Sequence, residues 1–345
     1  MLFRINMFIF AASTIFLACQ RQERKKTIGM GFVKKFFLLF VCCWLSSLCA
    51  RGEQFVLTPQ WTAQAQFAGY YVAVAKGFYK RAGLDVKIEH ISASNSCVNR
   101  LKDGTSQFIT MHLLSAIKYM DEGLRLVNVM QASQNSSLMI ISKKPIEGPK
   151  DLQGMRIGNW KGGFSELGFI LDKEYGLNIQ WIPFIQNINL FISGAIDATM
   201  AMSYNEYYQL LMSGRRLKEN QLLYFSKIGY NIPEDGVYVT EEFYKTHKKD
   251  IEKFVAATRQ GWEWACAHPQ ETLDFVMDAV KKTKVKTNRK AQKWMLEKIL
   301  DTLVSKRNGK RTYTLDERDF NLAVRLLHTN GYISNKIAYK QIKGL

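Results

Sequence analysis

The sequence predicts an α/β protein of two lobes with a ligand cleft between them. Three observations carry that expectation. From residue 54, segments that alternate apolar and polar residues take turns with segments of helical spacing, the rhythm of βαβ units and a mainly parallel sheet. Near Lys143 the rhythm starts over on a similar plan. After residue 240 the chain turns helical, and no Pro/Gly/Ser-rich linker sets that section apart.

Taken in order, "QFVLT" (54–58) alternates and reads as a strand. "GYYVAVAKGFYKRAG" (69–83) has helical spacing and stops at Gly83, a helix C-terminal signal. "LDVKIEHI" (84–91) is a strand, "NSCVNRLKDGTS" a helix opened by a Ser/Asn cap, and "QFITM" (107–111) a third strand. "LSAIKYMDEG" follows as helix, then "LRLVNVMQA" and "LMIISKK" as strands. In the second stretch "KDLQGMRIGNW" (150–160) gives a short helix, a Gly stop and a strand, and "GGFSELGFILDKEYG" (162–176) a helix. "IQWIPFI" and "DATMAM" (197–202) read as strands around the helix "INLFISGAI". "YNEYYQLLMSG" (204–214) is a helix, and "LLYFSKIGY" leads to the strand "GVYVT" (236–240). The expected division is a leader over 1–50, one lobe over 51–142 plus 236–345, and a second over 143–235.

Ligands in open α/β sheets sit outside the carboxyl ends of the strands. Three loops fall at such ends: 59–70, 160–164 and 203–206. The first offers Trp61, Gln64, Gln66, Tyr70 and Tyr71, rings for stacking and amides that both donate and accept. Gly69 in that loop lets the backbone approach a ligand. The second holds Trp160, Gly162 and Gly163, a turn whose N–H groups are free for a polar group, or a bare turn. In the third, Asn205 and Glu206 open a helix. Glu206 either favours the helix dipole or takes two hydrogen bonds from an amino-heteroaromatic edge. Asp235, in "PEDGVY", sits where a strand crossing between lobes begins, or is a turn residue before Gly236. Asn95, His112 and Tyr204 complete the candidate ligand-binding set.

Sequence patterns for catalysis are absent: there is no G-x-S-x-G, H-E-x-x-H or phosphate-binding loop, and the five His show no metal spacing. The reading is a binding protein rather than an enzyme, with no cofactor and no metal. Beyond residue 50 the chain keeps 41 basic against 29 acidic residues, a net of +12, concentrated in "KKTKVKTNRK" (281–290) and "SKRNGKR" (305–311). No nucleic-acid motif accompanies them, which leaves a solvated face or a contact with anionic lipid or a partner.

Two apolar stretches open the chain. "MFIFAASTIFLAC" (7–19) ends in a Cys. "MGFVKKFFLLFVCCWLSSLCA" (30–50) has its own Met, two Lys, an apolar core and a small-residue end, and reads as a secretory signal cut near Ala50. Lipidation at Cys19 or Cys49 is the alternative. Either sends the rest across a membrane, to a periplasmic or membrane-anchored place outside the cytoplasm. Of six Cys only Cys97 and Cys266 lie beyond the leader, too few for a disulfide framework.

"AQFAGYYVAVAKGFYKRAGLDVKI" resembles the opening signature of the NMT1/THI5-like periplasmic substrate-binding proteins of ABC transporters. "MSYNEYYQLL" and "DGVYVTEEF" resemble later signatures of the branch linked to thiamine-pyrimidine precursors. The similarity runs from about residue 54 to 280. It implies a type II-like periplasmic-binding-protein fold, a permease and its ATPase as partners besides the ligand, and a monomeric, hinge-bending chain. By it Trp61, Tyr70, Gly162, Gly163, Asn205 and Glu206 would hold a formylaminopyrimidine or hydroxymethyl aminopyrimidine. The eukaryotic enzymes of the family use a His in the first loop and a Cys-rich segment. Here Gln66 stands near that His and no Cys cluster follows residue 50, which argues against synthase chemistry. An extracytoplasmic sensor subunit is a further alternative.

Overall fold

The computed structural model of the protein describes residues 54–92, 95–160, 164–184 and 188–345. The leader segments expected over 1–50 lie outside the described residues.

Among the described residues, ten strands form two five-stranded sheets. The first contains β1 (Gln54–Thr58), β2 (Asp85–Ile88), β3 (Phe108–Met111), β4 (Leu126–Gln131) and β10 (Gly236–Thr240), in the order β2-β1-β3-β10-β4. The second contains β5 (Leu138–Ser142), β6 (Arg156–Trp160), β7 (Gln180–Phe184), β8 (Ala198–Met202) and β9 (Leu222–Tyr224), in the order β7-β6-β8-β5-β9. The two orders are the same plan. In each sheet the strand next to the edge, β10 or β5, is the first to arrive from the other lobe, and it runs antiparallel to both neighbours. The sheets are therefore mixed rather than mainly parallel, because a chain entering from the opposite lobe comes in the opposite direction. β5, grouped with the first lobe on the sequence, pairs in the second sheet. The chain crosses before it, through 132–137, and returns through 225–235.

These two crossings are bonded into one hinge. Ser133 Oγ accepts from the backbone N–H of both Glu234 and Asp235, at 3.0 and 2.9 Å. Asn231 Oδ1 accepts from Ser136 N at 2.9 Å, and Ala132 N donates to Asp235 O at 2.9 Å. Short polar side chains suit this place: the crossing strands leave their sheets there, and buried backbone groups need other partners.

The segment 69–83 forms two helices, Ala68–Ala75 and Phe78–Arg81, because Gly77 between them adopts φ +69. The helical tail folds back on the first lobe, as its lack of a linker implied. Lys248–Ala267 packs on Ala68–Ala75, Arg289–Thr302 on residues 65–67, and Glu317–Thr329 on Leu113–Asp121. The first of these contacts is backbone on backbone. A Cβ on Gly261 would lie 2.2 Å from Gly69 O, and one on Gly69 would meet the Trp262 ring at 2.2 Å. Gly69 thus serves helix packing under Trp262, and not approach to a ligand. Cys97 and Cys266 are both free thiols.

Candidate ligand-binding site

The first loop follows β1 at its carboxyl end. Its rings divide by role. Tyr70 is core: 1% exposed and edge-on to Trp262, with ring centroids 5.7 Å apart. Tyr71 is buried and its hydroxyl meets His90 Nε2 at 2.9 Å, while His90 Nδ1 meets Trp61 O at 2.8 Å. A carbonyl only accepts, so Nδ1 carries the proton and Nε2 accepts from Tyr71. Burial lowers the His90 pKa and keeps this neutral form. Tyr71 therefore acts through His90 on the Trp61 backbone. Trp61 is 37% exposed and points across the cleft, edge-on to Phe164 of the second lobe at 6.3 Å. Both ends of the Gln66 amide are engaged: its Nε2 donates to Asp235 Oδ1 at 2.7 Å, and its Oε1 accepts from Gln64 Nε2 at 2.6 Å.

The second lobe supplies the facing wall. Gly162 and Gly163 lie outside the described residues. Phe164 just after them adopts φ +65. That left-handed state is unfavourable for an aromatic residue, and such strain gathers at ligand clamps. Phe164 covers His112, the residue before helix Leu113–Asp121, at 4.3 Å between ring centroids. Loss of hydration there pushes the His112 imidazole down to about 3. Glu206 opens helix Glu206–Met212 and is 4% exposed. Its Oε2 accepts from Met202 N at 2.9 Å, and its Oε1 from Asn205 Nδ2 at 3.0 Å and Trp160 Nε1 at 3.4 Å. Burial raises its pKa, against those bonds.

Asp235 and its neighbour Glu234 occupy the hinge itself. Asp235 Oδ1 accepts from Gln60 Nε2 at 2.8 Å as well as from Gln66. Glu234 Oε1 accepts from Ser136 Oγ at 2.8 Å and Ser137 N at 2.7 Å, on the other crossing. Tyr204 is buried, and the charges of Asp235, Glu234 and Glu206 all act on its hydroxyl, adding to burial in raising its pKa.

Among the described residues, two cavities adjoin each other at the cleft. The inner one, of about 30 Å³, is bounded by His112, Ser115 and Leu113 on one side, Phe164, Glu166 and Met202 on the other, and Glu234 and Ser136 at the hinge. The outer one, of about 540 Å³, shares Ser115 and Glu166 with it and is walled by Trp160, Asn159, Phe169, Tyr119 and Tyr332. Trp61, Tyr70 and Glu206 do not line one cavity together among the described residues. What the fold does assemble is Trp61, Phe164 and His112 across the cleft, Trp160 with Asn205 and Glu206, and Tyr204 within the field of three carboxyls. Asn95 stands apart, half-buried in a one-pair bridge to Ser92 beyond β2. The sequence reading missed Gln60, His90, Phe164 and Glu234. Gln60 and Glu234 adjoin residues it did single out, and their proximity in sequence was the available signal.

Besides Asn330, which accepts from Lys173 Nζ and donates to Glu174 Oε1, both at 3.3 Å, two further contacts tie the lobes at the cleft rims. Lys118 Nζ pairs with Glu166 Oε1 at 2.9 Å. Opposite, Trp294 Nε1 donates to Ser203 O at 3.1 Å, and its ring meets Tyr208 and Tyr207 at 5.5 and 5.9 Å.

Residues 64–272 match the family model described as NMT1/THI5 like. The chain belongs to the NMT1/THI5-like family. It is 26% identical over 241 residues to the riboflavin-binding protein RibY of Chloroflexus aurantiacus, covering 66% of this chain and 67% of that one. It is 21% identical over 237 residues to the formylaminopyrimidine-binding protein of Halalkalibacterium halodurans, covering 63% and 68%. The periplasmic aliphatic sulphonate binding protein SsuA from Escherichia coli superposes with a TM-score of 0.63 at 14% identity, over 84% of this chain and 91% of that one. That likeness shows the periplasmic-binding-protein fold. Family, binding-protein relatives and fold agree on solute binding as the function of this NMT1/THI5-like chain.

Proposed function

We propose that the protein is the exported solute-binding subunit of an ABC importer, and that its cleft closes on a small heteroaromatic ligand of the aminopyrimidine type. The observation that carries the ligand class is Glu206. It is a buried carboxylate at the start of helix Glu206–Met212, flanked by the Trp160 indole, whose residue walls the outer cavity, and the Asn205 amide. A planar ligand with a ring nitrogen beside an amino group matches a carboxylate in two places. Trp61, Phe164 and Trp160 supply ring faces and edges from both lobes, each contact contributing about 0.5–1.5 kcal/mol beyond buried area. The named relatives that bind formylaminopyrimidine and riboflavin support a ring-shaped guest.

Closure is a two-state motion about the paired crossings, and only a ligand that touches both lobes favours the closed state. In this reading a permease and its ATPase receive the loaded protein outside the cytoplasm. Calorimetric titration of the purified chain with formylaminopyrimidine and with riboflavin tests it. Binding of either, accompanied by a change in tryptophan emission, is the expected result. Binding of neither sinks the ligand class.

A further inference from the structure

We propose that the cleft selects a positively charged ligand, whose charge is held by Glu234 and Asp235 of the hinge together with Glu206 of the second lobe. This rests on the heteroaromatic reading and adds the charge of the guest. The three carboxyls are 4%, 5% and 4% exposed for Glu234, Asp235 and Glu206, and the charge of each acts on the Tyr204 hydroxyl. Among the described residues no cation offsets them. Lys118, on the cleft wall, is bound to Glu166, and His112, which shares the inner cavity with Glu234, is neutral. Buried carboxylates without a counter-charge are strongly unfavourable.

A second, independent observation points the same way. Gln60 is 8% exposed; it spends its amide N–H on Asp235 and leaves Oε1 buried with no donor. Ser137 is 3% exposed; it gives its backbone N–H to Glu234 and leaves Oγ buried and unpartnered. Buried polar atoms in native proteins are almost always satisfied. These unpartnered oxygens, on the residues that already bond Asp235 and Glu234, can accept from a guest that brings N–H donors and positive charge. An anionic guest would be repelled.

Among the described residues, the following groups face the hinge pair. Tyr70, Tyr204 and Tyr238 feel the Asp235 charge; Glu166 and His112 line the cavity reached by Glu234. Without a guest, burial and then the Asp235 charge push Glu234 up to about 8, and burial pushes Asp235 up to about 7. A seated cation favours the ionised forms, so its binding expels protons and tightens as pH rises from 6 to 8.

The test is calorimetry of the intact chain with two matched probes: an aminomethyl aminopyrimidine, cationic at neutral pH, and its neutral hydroxymethyl counterpart. Titrations at pH 8 give affinities, and repeats at pH 7 in buffers of different ionisation enthalpy count protons. The expected result is at least about tenfold tighter binding of the cation at pH 8, about 1.4 kcal/mol, with proton release at pH 7. Glu234→Gln and Asp235→Asn should each reduce the preference and the release. Equal affinity for the two probes, or no proton exchange, overturns the inference and leaves the heteroaromatic reading standing. Binding of neither probe removes both. The wild-type comparison decides the matter even where a variant fails to fold.

Discussion

Glu206 and Trp61 separate what a side chain does for the fold from what it does for a ligand. Glu206 is buried, accepts three hydrogen bonds, and has its pKa raised by burial. Glu206→Gln keeps the shape and removes the charge; we expect ligand affinity to fall by about 1.5–3 kcal/mol in calorimetry. An unchanged affinity would place Glu206 outside the site. Trp61 is the reverse case, with its ring over a third exposed and only its backbone held by His90. Trp61→Ala should leave the thermal midpoint nearly unchanged and weaken binding. A protein that unfolds instead would show Trp61 to be core. Trp61 and Glu206 could be singled out in the sequence as a ring and a carboxyl at strand ends, and these two variants test whether they bind. The role of Tyr70 was not legible there, because a ring after a strand is equally able to turn inward, and Trp262, 192 positions later, decides that it does.

Among elements, the tightest junction is helix Ala68–Ala75 against Lys248–Ala267, where Gly69 and Gly261 let the backbones touch. Gly261→Ala places a methyl 2.2 Å from a carbonyl oxygen that has nowhere to move. The expected loss is about 1–3 kcal/mol or more of unfolding free energy in a denaturant titration. Helix Arg289–Thr302 has a different task. Gln292 Oε1 accepts from Ala65 N at 2.7 Å in the first loop, while Trp294 holds Ser203 O in the third. One helix thus grips a candidate ligand loop from each lobe. Trp294→Ala should shift the ligand-free protein toward the open form, seen as a larger radius of gyration in small-angle scattering. An unaltered radius would mean that Lys118–Glu166, the Asn330 contacts with Lys173 and Glu174, and the hinge hold the lobes without it.

For the whole molecule the hinge pair sets a pH dependence. Unfolded Glu and Asp titrate near 4, whereas Glu234 rises to about 8 and Asp235 to about 7. Folded-state values above unfolded ones mean stability that is full below pH 4 and is lost as pH rises through 7 and 8. His90 and His112 act oppositely, with lowered values whose stabilisation is complete above about 6.5. Between pH 7 and 9 the carboxyls therefore dominate. The ligand-free melting temperature should fall across that range, and should fall less in Glu234→Gln. A flat wild-type profile would mean that the pair is already relieved by solvent.

The alternation of strands and helices, the repeated plan and the absence of a linker before the tail were all written in local patterns. Period and turn chemistry act between near neighbours in the chain, so two α/β lobes and their strand-end loops follow from sequence alone. Which sheet β5 joins, whether Tyr70 faces a ligand or Trp262, and how the charges of Glu206, Glu234 and Asp235 come to act on Tyr204 are different matters. They depend on the direction in which the chain crosses the hinge and on partners up to hundreds of residues away. Only the packed structure brings those groups together in one low-dielectric place, and that burial gives their charges a meaning that spacing cannot.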